Sequence, residues 1–516
     1  MAGKPGQSLY LPLRAAMFLG VDLGTSGVKA VLMDAAGSVR AVASHALQVA
    51  HPLPRWSEQD PADWWTAAEQ AIETLLTTAA REGIAARQIR AIGLSGQMHG
   101  ATLLDRRGQV LRPAILWNDG RSDEQCLELE HTPGFRQITG NLAMPGFTAP
   151  KLAWVRRHEP ALFERIDKVL LPKDYLRLKL TGEYATDASD AAGTLWLDVG
   201  KRAWSAAMLD ATGLLPKHMP QVYEGNAVTG YLLPELAMRW GMGRVPVAAG
   251  GGDNAAGAIG VGIVKHGQAM LSLGTSGVYF AVSDGFLALP EQAVHSFCHA
   301  LPDTWHVMSV MLNAASCLDF TARLTGLPDV ASLLAEAESV GMQPDGPCFL
   351  PYLTGERTPH NDVHARGAFV GLHAGSSRAD LANATLEGVG LGLLDGMEAV
   401  ARTGLESDAI EVIGGGSRSA YWTQMLADIL GRPLTLRAGG EVGPALGAAR
   451  LAHLAIEPGA TLDQVCPRPA VIAVREPRQA RHLYYRESRQ PLFRQLYRQL
   501  KPVYSAAAAI AAVRFD

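Results

Sequence analysis

The chain has 516 residues, 48% of them hydrophobic and 19% charged, the composition of a soluble globule too long for a single core. A net charge of −4 argues against nucleic acid or an anionic membrane surface as the main partner. Five cysteines without C-x-x-C spacing fit reduced thiols in a cytoplasm and exclude a simple zinc or disulfide framework, and no apolar run of about 18 residues is present to span a membrane.

The first 16 residues, interrupted by Pro12, and the Ala-rich tail 505–516 read as disordered extensions. From Met17 an apolar run leads into Leu23-Gly24-Thr25-Ser26-Gly27-Val28 and a second apolar run follows, the pattern of a Gly-rich turn between two strands. Glycine allows positive φ in such a turn, and its backbone N–H groups form a nest for phosphate oxygens. Thr25 and Ser26 would add hydroxyls, and Lys29 a point charge. Asp22 would be repelled by a bound phosphate unless a cation lay between, so it predicts Mg²⁺ held largely through water; turn capping is its alternative reading.

Asp60-Pro61-Ala62-Asp63 then supplies an N-cap, a proline at N1 and a carboxylate for a helix to about residue 79. Residues 89–94 read as a buried strand ending at Ser95-Gly96-Gln97-Met98-His99-Gly100, the kind of strand end at which α/β proteins bind ligands. His99 offers one donor and one acceptor and Met98 an apolar wall. Trp56 and Asn118 are further candidates for the same pocket, with core packing the alternative for Trp56. Residues 120–245 mix short helices and loops, as insertions on a first lobe would.

Ala249-Gly250-Gly251-Gly252-Asp253 marks the junction of two halves. Three glycines permit close approach of backbone and substrate, so Asp253 is the candidate general base, expected to act with a near-normal pKa; helix capping is the alternative. Asn254 stands beside it. The pattern then restarts. The same hexapeptide recurs at 273–278, with Thr275 in place of Thr25 and Ser272 in place of Asp22, inside a hairpin at 269–283. Strands at 295–312, helices near 313–340 and 378–402, a strand and turn at 410–416, and helices at 420–430 and 441–453 follow. An amphipathic helix at 484–500 is expected to return to the first lobe. Repetition of hairpin then helix is what a duplicated, two-lobed α/β fold shows, and two nests suggest two lobes gripping one polyphosphate. No G-x-x-x-x-G-K-[ST] run is present, so the chain is not a P-loop protein.

Several of these segments occur together in one order: Gly20-Val21-Asp22-Leu23-Gly24-Thr25-Ser26, Trp56-Ser57-Glu58-Gln59-Asp60-Pro61, Gly96-Gln97-Met98-His99-Gly100 and Trp117-Asn118-Asp119-Gly120-Arg121. Gly146-Phe147-Thr148-Ala149-Pro150-Lys151, Gly367-Ala368-Phe369-Val370-Gly371 and Gly414-Gly415-Gly416-Ser417-Arg418-Ser419 continue the series. Over roughly residues 17–500 the chain resembles the FGGY carbohydrate kinases. Its Met-His pair is similar to that of xylulose-type members, whereas glycerol kinases carry Arg-Glu at that place.

The resemblance implies a two-lobed actin-like ATPase (ribonuclease H-like) α/β fold, each lobe a mixed β-sheet flanked by helices, with ATP and sugar in the cleft between. The lobes are expected at 17–246 and 247–472, with 473–500 as the terminal helix. It implies Asp253 as base, Met98, His99, Asn254 and Trp56 on the sugar, and Thr25, Ser26, Lys29 and Thr275 on phosphates. Gly415 and Ser419 would meet adenine and ribose, and Asp22 the Mg²⁺. D-xylulose is the implied acceptor, with ribulose, gluconate or a deoxy-sugar as alternatives. A cytoplasmic homodimer without nucleic acid or membrane partners completes the expectation. Lys151 and Glu356-Arg357-Thr358-Pro359 receive no role. The competing class is a chaperone-type ATPase, which needs a separate peptide-binding domain, or a filament protein of the same superfold, which needs no Gln-Met-His sugar loop.

Overall fold

The apolar runs flanking each hexapeptide form antiparallel hairpins, Met17–Leu23 with Gly27–Asp34 and Ala269–Leu273 with Gly277–Ser283. They belong to a computed structural model that describes residues 16–438 and 443–511. Each hairpin gains a third antiparallel strand, Val39–Ala46 in one case and Trp305–Met311 in the other. On its other side the first hairpin strand pairs in parallel with a strand that arrives after a long helix, Ile89–Gly96 or Ile410–Ile413. A second parallel strand (Pro246–Ala248; Leu434–Arg437) and an antiparallel edge (Val228–Tyr231; Val471–Arg475) complete each half. Six strands thus share order and direction in two sheets, which is the duplicated, two-lobed α/β architecture. The first sheet adds Gly251–Gly252 beside Ile89–Gly96, and the second adds His295–Cys298.

The helix crossing over in the first lobe, Pro61–Arg81, follows from its sequence. Asp60 accepts a hydrogen bond from the Ala62 N–H at 2.9 Å, Pro61 fills N1, and Trp64, Ala68, Ala71, Ile72 and Leu75 are buried at helical spacing. The helix Arg378–Ala401 takes the equivalent place in the second lobe, capped by Ser377 and Asp380.

The hexapeptide glycines are there for a different reason than positive φ. None of Gly24, Gly27, Gly274 and Gly277 adopts it. A Cβ on Gly27 would lie 2.7 Å from the His45 carbonyl oxygen, and one on Gly277 would lie 2.8 Å from Leu393 Cδ2. The glycines allow the loops to sit against their neighbours, and each loop closes on itself through Gly24 N–H to Gly27 O (2.9 Å) or Gly274 N–H to Ser276 O (3.1 Å).

Two helices near the C-terminus exchange the places expected of them. Gly443–Ile456, carried by the second half of the chain, lies across the first sheet. A Cβ on Gly20 would meet Ala445 O at 1.9 Å, and one on Gly93 would meet Ala448 O at 1.8 Å. The same helix touches Asp253–Val261 just as closely, since a Cβ on Gly447 would lie 1.8 Å from Ala256 O. The terminal helix, by contrast, does not return to the first lobe. Tyr485, Phe493, Tyr497 and Tyr504 join the core of the second lobe, and Arg489 and Arg494 pair with Glu387 and with Asp395 and Glu398 on Arg378–Ala401. Its last element, Gln490–Ala511, is helical through Ala511, where an extension from 505 was expected to be disordered. The expectations for 1–15, 441–442 and 512–516 fall outside the described residues. No helix among the described residues is long and apolar enough to cross a membrane.

Candidate active site

A cavity of about 240 Å³ opens between the end of the first sheet, at Met98 and His99, and the second sheet at Val278, Met308 and Val310. Of the residues named as candidates for base and sugar contacts, Met98, His99, Asp253 and Asn254 line it. Ser276 of the second hexapeptide is in its wall, and so is Trp117, whose indole N–H donates to Thr25 Oγ1 of the first at 2.9 Å. The second loop is therefore in the wall itself, and the first is tied to the wall through Trp117.

Asp253 opens the helix Asp253–Val261, and its Oδ1 accepts from the Asn254 backbone N–H (2.7 Å) and side-chain amide (2.9 Å). Gly252 before it is needed because a Cβ there would lie 2.9 Å from Met98 Sδ. Burial first, then the negative charge of Asp22, push the Asp253 carboxyl up to about 7, with the two Asn254 hydrogen bonds offsetting in part. The near-normal pKa expected from the sequence is corrected by this surrounding. Asp22 is itself raised to about 6 by burial, partly offset by Ser95 and by Lys29, which faces it across the hairpin ladder. Its Oδ1 is buried without a hydrogen-bond partner.

His99 adopts φ of 71°, a left-handed conformation. Its carbonyl accepts from Lys151 Nζ (2.9 Å) and Thr148 Oγ1 (3.2 Å), and its Nδ1 stands 2.6 Å from the Gly193 carbonyl. A carbonyl only accepts, so Nδ1 carries the hydrogen and Nε2 is left as an acceptor. Burial, with Lys151 adding to it, lowers the imidazole to about 3, so the ring is neutral at physiological pH. The expected donor-plus-acceptor role is reduced to acceptor alone. Lys151, left without a role above, also donates to Gly146 O at 2.8 Å and thereby ties the strand end to the next wall of the cavity.

Trp56 is not in the cavity wall. The Arg121 guanidinium stacks on its ring at 3.5 Å, Trp154 meets it edge-on at 5.4 Å, and Arg121 is held by Glu58 and Asp119. Asn118 is exposed and also outside the lining, its place taken by Trp117. Thr25, Ser26, Lys29 and Thr275 sit in the two hairpins rather than in the wall, Ser26 and Thr275 exposed at the loop tips. The Thr275 carbonyl accepts from Ala314 N–H (2.9 Å) and Ser316 Oγ (2.9 Å). Gly415 and Ser419 lie beside that second loop, because Ile413 pairs with Ser272 and a Cβ on Gly414 would meet Leu273 O at 2.7 Å. Gly415 faces open space, while the Ser419 hydroxyl caps the helix Ala420–Leu430 by accepting from Trp422 N–H at 3.1 Å.

Sequence reasoning missed the cavity's aromatic wall. Phe147, Phe297 and His295 pack edge-to-face or stacked on one another, and Phe147 meets the His99 ring at 4.9 Å. Arg357 of the second lobe also lines the space, beside Glu356, whose Oε1 accepts from Leu312 and Arg357 N–H groups. Burial pushes the Glu356 carboxyl up to about 8.

Two sheets sharing six strands in one order, the same hexapeptide loop in each, and a half-buried carboxylate at their junction fit a two-lobed phosphotransferase of the actin-like ATPase fold. The chain belongs to the FGGY family of carbohydrate kinases: residues 17–260 match the family's N-terminal domain and residues 269–456 its C-terminal domain. It is 57% identical to the xylulose kinase of Escherichia coli (strain K12), over 94% of this chain and the whole of that one. It is 55% identical to that of Klebsiella pneumoniae over 95% of this chain and the whole of that one. Among solved structures, a "xyloylose kinase" from Brucella ovis superposes with a TM-score of 0.91 at 50% identity, covering 94% of this chain and 100% of that one.

Proposed function

We propose that this carbohydrate kinase transfers the γ-phosphoryl group of ATP to D-xylulose, giving D-xylulose 5-phosphate. The observation that carries the reading is one cavity lined by Met98, His99, a half-buried Asp253 and Ser276 of the second hexapeptide, with Thr25 of the first bonded to Trp117 in its wall. Support for the ketopentose comes from relatives named xylulose kinase at 55% identity and above.

In this reading the carbon chain of the sugar rests on Met98, Phe147 and Phe297, and the neutral His99 Nε2 accepts a sugar hydroxyl. Asp253 accepts the proton of the attacking hydroxyl. The oxygen forms its bond to the γ-phosphorus as the bridging oxygen departs on ADP with the bonding electrons. Backbone N–H groups of the loops at 23–28 and 273–278 hold the phosphates, with Thr25, Ser26, Lys29 and Thr275 around them. Gly415, facing open space beside the second loop, leaves room for the adenine, and Ser419 flanks the ribose.

The residues present also fit a magnesium ion. Asp22 Oδ1 is buried with no hydrogen bond, and the negative charge by which Asp22 raises the Asp253 carboxyl would be relieved by a cation between them. Asp22 would hold it, and when bound it neutralises phosphate charge.

The test is ADP release with D-xylulose, D-ribulose, gluconate, glycerol or no sugar. D-xylulose is expected to give the highest kcat/KM. Equal ADP release with and without every sugar would end the kinase reading, and a preference for gluconate or ribulose would replace the substrate.

A further inference from the structure

Behind the cavity lies a cluster of charges that the mechanism above does not use. Lys173 Nζ contacts Asp174 (2.6 Å), Asp187 (2.8 Å) and Asp190 (3.2 Å), and all four side chains have no solvent exposure. Arg177, equally buried, donates to Ala248 O at 2.9 Å and to Ala249 O. Burying five charged side chains is a poor way to stabilise a fold, because apolar residues of the same volume do as well or better without the desolvation penalty. What such a cluster supplies is hydrogen-bond direction.

Its hydrogen bonds lead to two places. Asp187 caps the short helix Ala188–Ala192, accepting from Ser189 N–H at 2.8 Å and from the Ser189 hydroxyl. With its proton committed to Asp187, Ser189 Oγ accepts from the N–H of Gly252, the residue immediately before Asp253, at 3.1 Å. The other end of the same short helix is Gly193, whose carbonyl takes the His99 Nδ1 hydrogen. A Cβ on Gly193 would lie 2.4 Å from His99 Cε1, so helix and imidazole are in direct register. Arg177 holds the strand end that leads to the glycines.

We propose that the Lys173–Asp187–Ser189 chain is a positioning device that orients the carboxylate of Asp253 and the imidazole of His99 toward the same sugar, with Ser189 as the residue through which it acts on Asp253. Lys173 fixes Asp187, Asp187 fixes both Ser189 and the helix ending at Gly193, and the two outputs diverge to base and sugar acceptor. The inference rests on the assignment of Asp253 as base.

The test is Ser189→Ala in the full chain, measured with whichever sugar the wild-type enzyme prefers. Misdirection of the base is expected to lower kcat roughly 10- to 100-fold, since small displacements of reacting groups have effects of that size. KM for ATP is expected to stay within about twofold. In an Asp253→Asn background the same substitution is expected to change the residual rate by less than twofold, because the residue it acts through is already disabled. Asp187→Asn, which keeps an acceptor for Ser189 but removes the charge that fixes it, is the second variant and should lower kcat in the same sense. The proposal is overturned if kcat per folded enzyme stays within twofold of wild type in whichever of the two variants folds. If Asp253→Asn itself keeps wild-type kcat, the base assignment fails instead, and the two failures are told apart.

Discussion

The two lobes carry the same six strands and the same hexapeptide, yet they have diverged wherever chemistry or close packing is required. In the first hairpin Asp22 precedes the loop; in the second Ser272 holds that place. Two residues earlier the first has Gly20, against which the helix Gly443–Ile456 presses its backbone, and the second has Met270, a side chain in the core between the lobes. Gly93 and Glu411 stand opposite these positions on the neighbouring strands. The hexapeptide loop is present in both halves; the carboxylates Asp22 and Asp253 and the cavity-lining side chains Met98 and His99 are gathered on the first half and its junction with the second.

The largest effect expected from breaking this asymmetry is at the junction. Asp253→Asn should lower kcat about 10³-fold, in the range of a lost general base, while ATP binding measured by calorimetry is little changed. Near-normal kcat would remove Asp253 from that role. Because the base must be ionised and its carboxyl lies at about 7, kcat should fall as pH drops below 7. The KM for sugar should stay flat from pH 8 to 5, since His99, at about 3, remains neutral throughout.

Next comes the position at which the hairpins differ. Asp22→Asn should lower kcat roughly 10- to 100-fold and raise the magnesium concentration needed for half-maximal rate. Ser272→Ala, at the equivalent place in the other hairpin, should leave both within about twofold. Equal losses from the two would mean that the loops work alike. A smaller change is expected from His99→Ala. Loss of one hydrogen bond should raise KM for the sugar about tenfold and KM for ATP less, and the reverse ordering would place His99 away from the sugar.

Much of this was legible in the sequence because it is local. The repeated hexapeptide between apolar runs gives both hairpins, and Asp253 after three glycines or Met98-His99 after a buried strand carry their own signal. What was not legible comes from packing between distant segments. Phe147, Phe297 and Arg357 are far apart in the chain and meet only in the folded protein. Trp56 stands outside the wall with Arg121, 65 positions on in the chain, stacked on its ring. The pKa of Asp253 depends on Asp22, 231 positions away in the chain, and no local pattern records that pairing. For the two exchanged helices a signal was present and misread. Gly443–Ile456 is built on Gly443, Ala445, Gly447, Ala448, Ala449 and Ala452, small on more than one face, as a helix squeezed between two backbones must be. The terminal helix has Tyr and Phe on one face with Arg489 and Arg494 alongside, suited to the acidic, bulky surface of Arg378–Ala401.

That difference in packing gives the last way to set one lobe against the other, by stability rather than rate. At Gly20 an added methyl would overlap Ala445 O at 1.9 Å, and the obstacle is backbone on both sides, so neither partner can rotate away. Gly20→Ala should therefore destabilise the protein by about 1–3 kcal/mol, in the range of overpacking a tight core. The equivalent residue of the second sheet, Met270, is nearly fully buried, and there it is the removal of atoms that harms. Met270→Ala should cost about 2–5 kcal/mol through the cavity it leaves. Paired urea melts of the two variants decide the matter. If Gly20→Ala is neutral, the helix Gly443–Ile456 has freedom to move off the first sheet, and the close backbone contact is not what joins the second half of the chain to the first.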